Sequence, residues 1–97
     1  MKATAIKRRK YPFSDGSIAE IVVWQLPNPT PERPHGLKYR LNYSLPDGTT
    51  AVRFDNELGK SDHKHIQGVE YPYKFESLEK LLADFRKEVK KQGGGKI

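Results

Sequence analysis

Two histidines stand two residues apart, His63 and His65, with Asp62 directly ahead of them and Lys60 shortly before. Metal-independent cleavage of an RNA phosphodiester needs a base for the 2′-hydroxyl proton, an acid for the leaving oxygen and a cation for the charge at phosphorus. His63, His65 and Lys60 are chemically able to fill these roles. In an extended segment, side chains at i and i+2 point the same way, so both rings could address one phosphate. A carboxylate at Asp62 or Asp55 could fix a histidine tautomer. Glu70 and Tyr73 follow a short distance on.

Two plainer readings of the same run compete with this one. Asp62 and His63 could cap a turn while the other groups are solvated. Asp62, His63 and His65 could instead ligate a divalent ion, although no fourth ligand follows at a recognised spacing. The expectation is therefore of no metal and no cofactor. His35, set among prolines, reads as a surface histidine.

The elements that must carry these residues follow from periodicity. From Leu37 to Leu45 apolar and polar residues alternate, and the turn Pro46-Asp47-Gly48-Thr49 leads into Thr50 to Asp55. A two-residue loop at Asp47-Gly48 sets Tyr43 opposite Val52 and Leu41 opposite Phe54. On the other face it sets Asn42 opposite Arg53 and Arg40 opposite Asp55. Lys38, Arg40, Asn42 and Arg53 would then form a face able to track phosphates. The plainer reading is a surface Arg40–Asp55 pair worth a fraction of a kcal/mol.

Upstream, Thr4 to Phe13 and Ser17 to Leu26 flank Asp15-Gly16, a second hairpin signal resting on positive φ at both turn positions. The run Lys7-Arg8-Arg9-Lys10 suits a charged edge strand that resists aggregation, ahead of any phosphate role. Pro27, Pro29, Pro31 and Pro34 make residues 27–36 an extended loop. Residues 56–73 lose regular apolar periodicity, carry Gly59 and Gly68, and read as a structured loop with one short strand at most. Beyond them Leu78, Leu81, Leu82, Phe85 and Val89 recur at helical spacing behind a Ser77 N-cap, and Gly93 ends the pattern.

The expected fold is thus α+β: an antiparallel sheet of about four strands in hairpins, packed against one C-terminal amphipathic helix. Residues 1–92 form a single domain and 93–97 a flexible tail. With 97 residues, 35% of them hydrophobic, the core is thin. No segment approaches the length of apolar sequence that spans a bilayer, and no secretory signal core opens the chain, so a cytoplasmic protein without membrane attachment is expected. Cysteine is absent, which removes disulfides, thiolate nucleophiles and Cys-ligated zinc. Eighteen Lys and Arg against twelve Asp and Glu give a net charge of +6, favouring polyanionic partners. No Gly-rich nucleotide loop, Ser-centred nucleophile motif or helix-turn-helix pattern is visible.

From Phe54 to Phe75 the elements Asp-Asn-Glu, Gly-Lys, Asp-His-x-His, Gly-x-Glu and Pro-Tyr-x-Phe follow in order. This string resembles the TumE family of bacterial toxin-like proteins. Ile21 to Pro27, Leu37 to Leu41 and Leu81 to Phe85 extend the resemblance over nearly the whole domain, with departures at Leu58 and Ser61. The resemblance implies the toxin of a type II toxin–antitoxin pair, held inactive by a cognate antitoxin protein. Asp55, Asn56, Lys60, Asp62, His63, His65, Glu70 and Tyr73 are the matching polar positions. Joined to the chemistry above, it suggests a metal-independent endoribonuclease with RNA as its target. His63, His65, Lys60 and Asp62 would be catalytic, Arg40, Lys38, Arg53, Asn42 and Tyr73 would contact nucleic acid, and Asp55, Asn56 and Glu70 would support the site. The alternative is a module that binds nucleic acid or protein through its basic face without catalysis.

Overall fold

The two expected hairpins become the four long strands of a sheet, and the weakly patterned region behind them adds two short ones. The computed structural model describes residues 4–31, 33–56, 61–95 and 97. Strands β1 (Thr4–Pro12), β2 (Ile18–Gln25), β3 (Leu37–Ser44), β4 (Thr50–Asp55), β5 (His63–Ile66) and β6 (Val69–Pro72) form one antiparallel sheet in sequence order, followed by helix α1 (Leu78–Lys91). The sheet has six strands rather than about four. Residues 63–66 and 69–72 carry little strand signal because His-Lys-His-Ile does not alternate apolar with polar and Val-Glu-Tyr-Pro does so over only three residues before a proline. Their pairing is driven by the turn and by β4.

That turn, Gln67-Gly68, has φ of 51° and 80°, so it is the hairpin with both central residues left-handed. The two Asp-Gly turns are built differently from the sequence expectation. Gly16 N donates to Phe13 O at 3.1 Å and Gly48 N to Leu45 O at 2.9 Å, which puts the aspartates at the third position of each turn. Only the glycines take positive φ, 93° and 91°. Each aspartate instead accepts from the residue two further on, Asp15 from Ser17 N at 2.8 Å and Asp47 from Thr49 N at 2.9 Å. The hydroxyls of Ser17 and Thr49 donate to the same oxygens, and these bonds, reinforced by the backbone ones, hold both exposed carboxyls below the usual carboxylate range. The register that matters survives a bulge near the turn: Tyr43 opposes Val52, Leu41 opposes Phe54, Asn42 opposes Arg53 and Arg40 opposes Asp55.

One sheet face is the core. Ala19, Ile21 and Val23 of β2, Tyr39, Leu41 and Tyr43 of β3, and Val52 and Phe54 of β4 are buried with Leu81, Leu82, Phe85 and Val89 of α1. The helix lies over β4, where the rings of Phe54 and Phe85 meet edge to face at 6.0 Å. Ser77 caps α1 by accepting from Lys80 N at 3.1 Å. Its far end closes as a Schellman motif, Gly93 N donating to Lys90 O at 3.0 Å and Gly94 N to Val89 O at 2.9 Å. Lys64 of β5 reaches Glu88 at 3.2 Å and ties the short strands to the helix. Among the described residues no helix is long and apolar enough to cross a membrane.

Candidate functional site

The face opposite the helix carries the chemistry, because strand alternation sends every second side chain there. Neighbouring residues line up in two rows across the sheet. Arg8, Val22, Arg40, Asp55 and His63 stand opposite one another from β1 to β5. Lys10, Glu20, Asn42, Arg53, His65 and Glu70 form the adjacent row, from β1 to β6. His63 and His65 therefore share a face, as the i, i+2 spacing requires, and their rings meet edge to face at 5.0 Å.

Asp55 is the carboxylate that joins them. It is 3% exposed and its Oδ1 lies against Nε2 of His63, itself 7% exposed. On the other side of that ring, Nδ1 is 2.9 Å from the carbonyl oxygen of Ser61. A carbonyl only accepts, so Nδ1 carries the hydrogen and Nε2 is the nitrogen presented to Asp55. The Asp55 contact does not meet the geometry of a hydrogen bond, and among the described residues Oδ1 is a buried oxygen without a donor. Asp55, His63 and His65 offer one nitrogen or oxygen each within 4.8 Å of one another. His65 is more open, 31% exposed, with Nε2 3.4 Å from Glu70.

Asp62 does not join the histidine pair. One residue before His63, it faces the other side of the strand, where it accepts from the hydroxyl of Tyr39 at 2.7 Å and sits 3.0 Å from Nε2 of His35. Leu37 N donates to Nδ1 of His35 at 3.1 Å, so the hydrogen of that ring is on Nε2 and points at Asp62. His35 also packs on Phe75 with ring centroids 4.0 Å apart. It is thus a half-buried clasp between the proline loop and the start of β5, not a surface histidine. Burial and the hydrogen bond to Asp62 push the Tyr39 phenol well above the usual tyrosine range.

Of the other expected site residues, Arg40 and Lys38 are exposed on the outer face, and Arg53 Nε donates to Asn42 Oδ1 at 3.3 Å beside them. Among the described residues no ion pair joins Arg40 to Asp55, which has turned to His63 instead. Tyr73 lies on the helix side, donating to Asp84 at 2.6 Å, away from this face. Asn56 is fully buried and stitches β4 to β3: its Oδ1 accepts from Tyr39 N at 3.0 Å and its Nδ2 donates to Leu37 O at 2.8 Å. Lys60 falls outside the described residues, as do Glu57, Leu58 and Gly59 of the same motif.

Two residues that periodicity gave no reason to choose complete the face. A depression of about 460 Å³ is lined by Arg8, Val22, Trp24, Lys38, Arg40 and Asp55. Within it the Arg8 guanidinium stands 5.7 Å from the centre of the Trp24 ring. Arg8 sits there because β1 pairs it with Val22, a register that the alternation of β1 alone does not announce. The result is a basic, partly aromatic hollow whose far wall is the buried carboxylate of the histidine cluster.

No curated protein and no solved structure matches the chain. The family model described as Toxin TumE matches residues 3–93. A match over nearly the whole chain, including both rows of the outer face and the clasp behind it, shows that the chain belongs to the TumE toxin family.

Proposed function

We propose that this chain is the toxin half of a toxin–antitoxin pair and acts on RNA as a metal-independent endoribonuclease through the outer sheet face. The observation that carries the reading is the convergence of Asp55, His63 and His65 at the end of a row that contains Arg8 and Arg40. In this reading a single-stranded segment lies across the basic hollow with one phosphate over the histidine pair. His65, the more open ring, takes the 2′-hydroxyl proton. The 2′ oxygen attacks phosphorus, and the bond to the 5′ oxygen breaks. His63, which must enter this step protonated on Nε2 as well as Nδ1, delivers the Nε2 proton to that leaving oxygen, leaving a 2′,3′-cyclic phosphate on one fragment and a 5′-hydroxyl on the other. Arg40 neutralises charge at phosphorus, while Asp55 and the Ser61 carbonyl hold the His63 ring. A cognate antitoxin protein would restrain the chain by covering this face.

The test uses purified full-length chain, freed of antitoxin and checked for folding by circular dichroism, incubated with RNA in EDTA. Wild type should shorten the RNA and leave cyclic phosphate ends. His65→Ala should be slower by roughly 100-fold or more, the usual worth of a positioned acid or base. Intact RNA together with continued growth arrest in cells would sink the enzyme reading. Steeply salt-dependent RNA binding with unchanged RNA lengths would then favour the second reading, a non-catalytic binding module, for which the basic hollow at Arg8, Lys38 and Arg40 is the supporting feature.

A further inference from the structure

The sheet that aligns two histidines for proton transfer has also built most of a metal site. We infer that Asp55, His63 and His65 bind one divalent transition-metal ion, such as Zn2+, and that the bound ion shuts off cleavage by the histidine pair. The second half of this inference rests on the proposed acid–base reading; the first half does not.

Three observations support the site. The ligand atoms lie within 4.8 Å of one another. Ligands around a tetrahedral zinc, bonded at about 2.0–2.2 Å, stand roughly 3.3–3.5 Å apart, so seating the ion takes a small rotation of the half-exposed His65 ring inward and of the Asp55 carboxylate away from His63 Nε2. The three residues come from directly paired positions of two neighbouring strands, Asp55 opposite His63 and Arg53 opposite His65, so the backbone holds them in place. Most directly, the cluster turns a buried carboxylate oxygen toward two imidazoles. Among the described residues, Asp55 Oδ1 is buried without a hydrogen-bond donor. The nearest group is Nε2 of His63, whose ring is held from its other side by Nδ1, 2.9 Å from Ser61 O. A carboxylate oxygen and an imidazole nitrogen turned toward each other can share a cation between them. The Nδ1 bond to a backbone carbonyl is the outer-shell arrangement that ligating histidines use to orient the ring.

Two imidazoles and one carboxylate suit zinc, cobalt, nickel or copper ahead of magnesium or calcium, which prefer all-oxygen ligand sets. The fourth position would fall to water or to Glu70, 3.4 Å from His65. Arg40 and Arg53 flank the site and should weaken binding. An ion held there takes up the lone pairs that acid–base catalysis needs, so occupancy and proton transfer exclude each other.

The experiment titrates EDTA-treated, dialysed full-length chain with Co2+, following the visible absorption of low-coordinate cobalt, and with Zn2+ by calorimetry. RNA cleavage is measured in parallel, in EDTA and with Zn2+ added. Uptake of one ion per chain, weakened about tenfold or more by His65→Ala and by the isosteric Asp55→Asn but unaffected by Asp62→Asn, is the expected result. Cleavage should persist in EDTA and fall as Zn2+ saturates the site. No saturable uptake, or equal uptake by wild type, His65→Ala and Asp55→Asn, overturns the inference while leaving EDTA-resistant cleavage to support the acid–base reading. Uptake at these residues with cleavage that requires the ion overturns the inhibitory role and the metal-independent mechanism together.

Discussion

Replacing Asn56 by alanine should cost more than any exposed residue of the site could. The side chain is fully buried and acts as a length of backbone: it accepts from Tyr39 N at 3.0 Å and donates to Leu37 O at 2.8 Å, continuing the β3–β4 ladder one step beyond Asp55. Alanine removes both partners and leaves the peptide groups behind. A buried donor or acceptor left unpaired costs about 1–3 kcal/mol, with the lower end appropriate to the part-buried carbonyl of Leu37, so the sum is about 2–4 kcal/mol. Against a total stability of roughly 5–15 kcal/mol for such a domain, this lowers the urea midpoint visibly with little change in slope. The thermal midpoint should fall by roughly 10–25 °C for a chain of this size. Since the amide also fixes the end of β4, Asp55 should lose its set position, and any activity of the outer face should drop even below the melting temperature. Urea unfolding followed by circular dichroism, wild type against Asn56→Ala, is the assay. A loss under about 0.5 kcal/mol would mean that water or a neighbour re-pairs the two peptide groups, and that the amide does not set the end of β4.

Other changes test separate parts of the structure. A Cβ at Gly94 would lie 2.3 Å from Val89 Cγ1 and 2.9 Å from its carbonyl oxygen, so Gly94→Ala should destabilise by about 1–3 kcal/mol in the same urea assay. The comparison is Gly48→Ala, where nothing lies within 4 Å but φ is +91°; it should cost only the left-handed penalty of about 1–2 kcal/mol. Burial, with hydrogen bonds to Asp62 and Asp84, raises the Tyr39 and Tyr73 phenols above the usual range. A folded value above the unfolded one gives stability that is complete below about pH 10 and lost as the pH rises beyond it. Phenolate absorbance from these two residues should therefore appear together with unfolding; if it appears near pH 10 in a folded chain, their burial has been misjudged.

The fold was legible wherever one face of a strand or helix is apolar. Leu37 to Leu45 and Thr50 to Asp55 alternate, so the register that pairs Arg40 with Asp55 could be derived before any coordinate. The helix was legible for the same reason, at period 3.6 instead of 2. β5 and β6 were not, because they lie toward the edge, where Lys64 packs its stem on the helix side and Val69 and Tyr71 stay exposed. With only Ile66 packed against the core, neither sequence sustains an alternation long enough to read. The Asp-Gly turns show a different limit: a glycine at positive φ was correctly implied, but one glycine in a type I turn with a bulge serves as well as two left-handed residues.

The site was legible in its histidines and illegible in its carboxylates. His63 and His65 share a face because a period of two needs only local extension. Which aspartate serves them depends on β4 pairing with β5, a contact that sequence spacing does not specify. Asp62, adjacent to His63 in the chain, is turned by that same alternation to the opposite side, where it holds His35 and Tyr39. Asp55, eight positions away, stands directly opposite His63. The two Asp–His pairs thus divide the work along one strand. On the helix side, Asp62 and His35 have their hydrogens assigned and their partners made, which suits a clasp. On the outer side, among the described residues, Asp55 keeps a buried oxygen without a hydrogen-bond donor, turned to Nε2 of His63. Unsatisfied polar atoms at a buried position cost stability, and a chain of thin core has little to spare. Of the two buried side-chain atoms left unpaired among the described residues, Arg33 Nη2 lies in the proline loop and Asp55 Oδ1 beside His63, the open ring of His65 and the basic hollow; the second, with two imidazoles around it, is the physical reason to look for chemistry on the outer face.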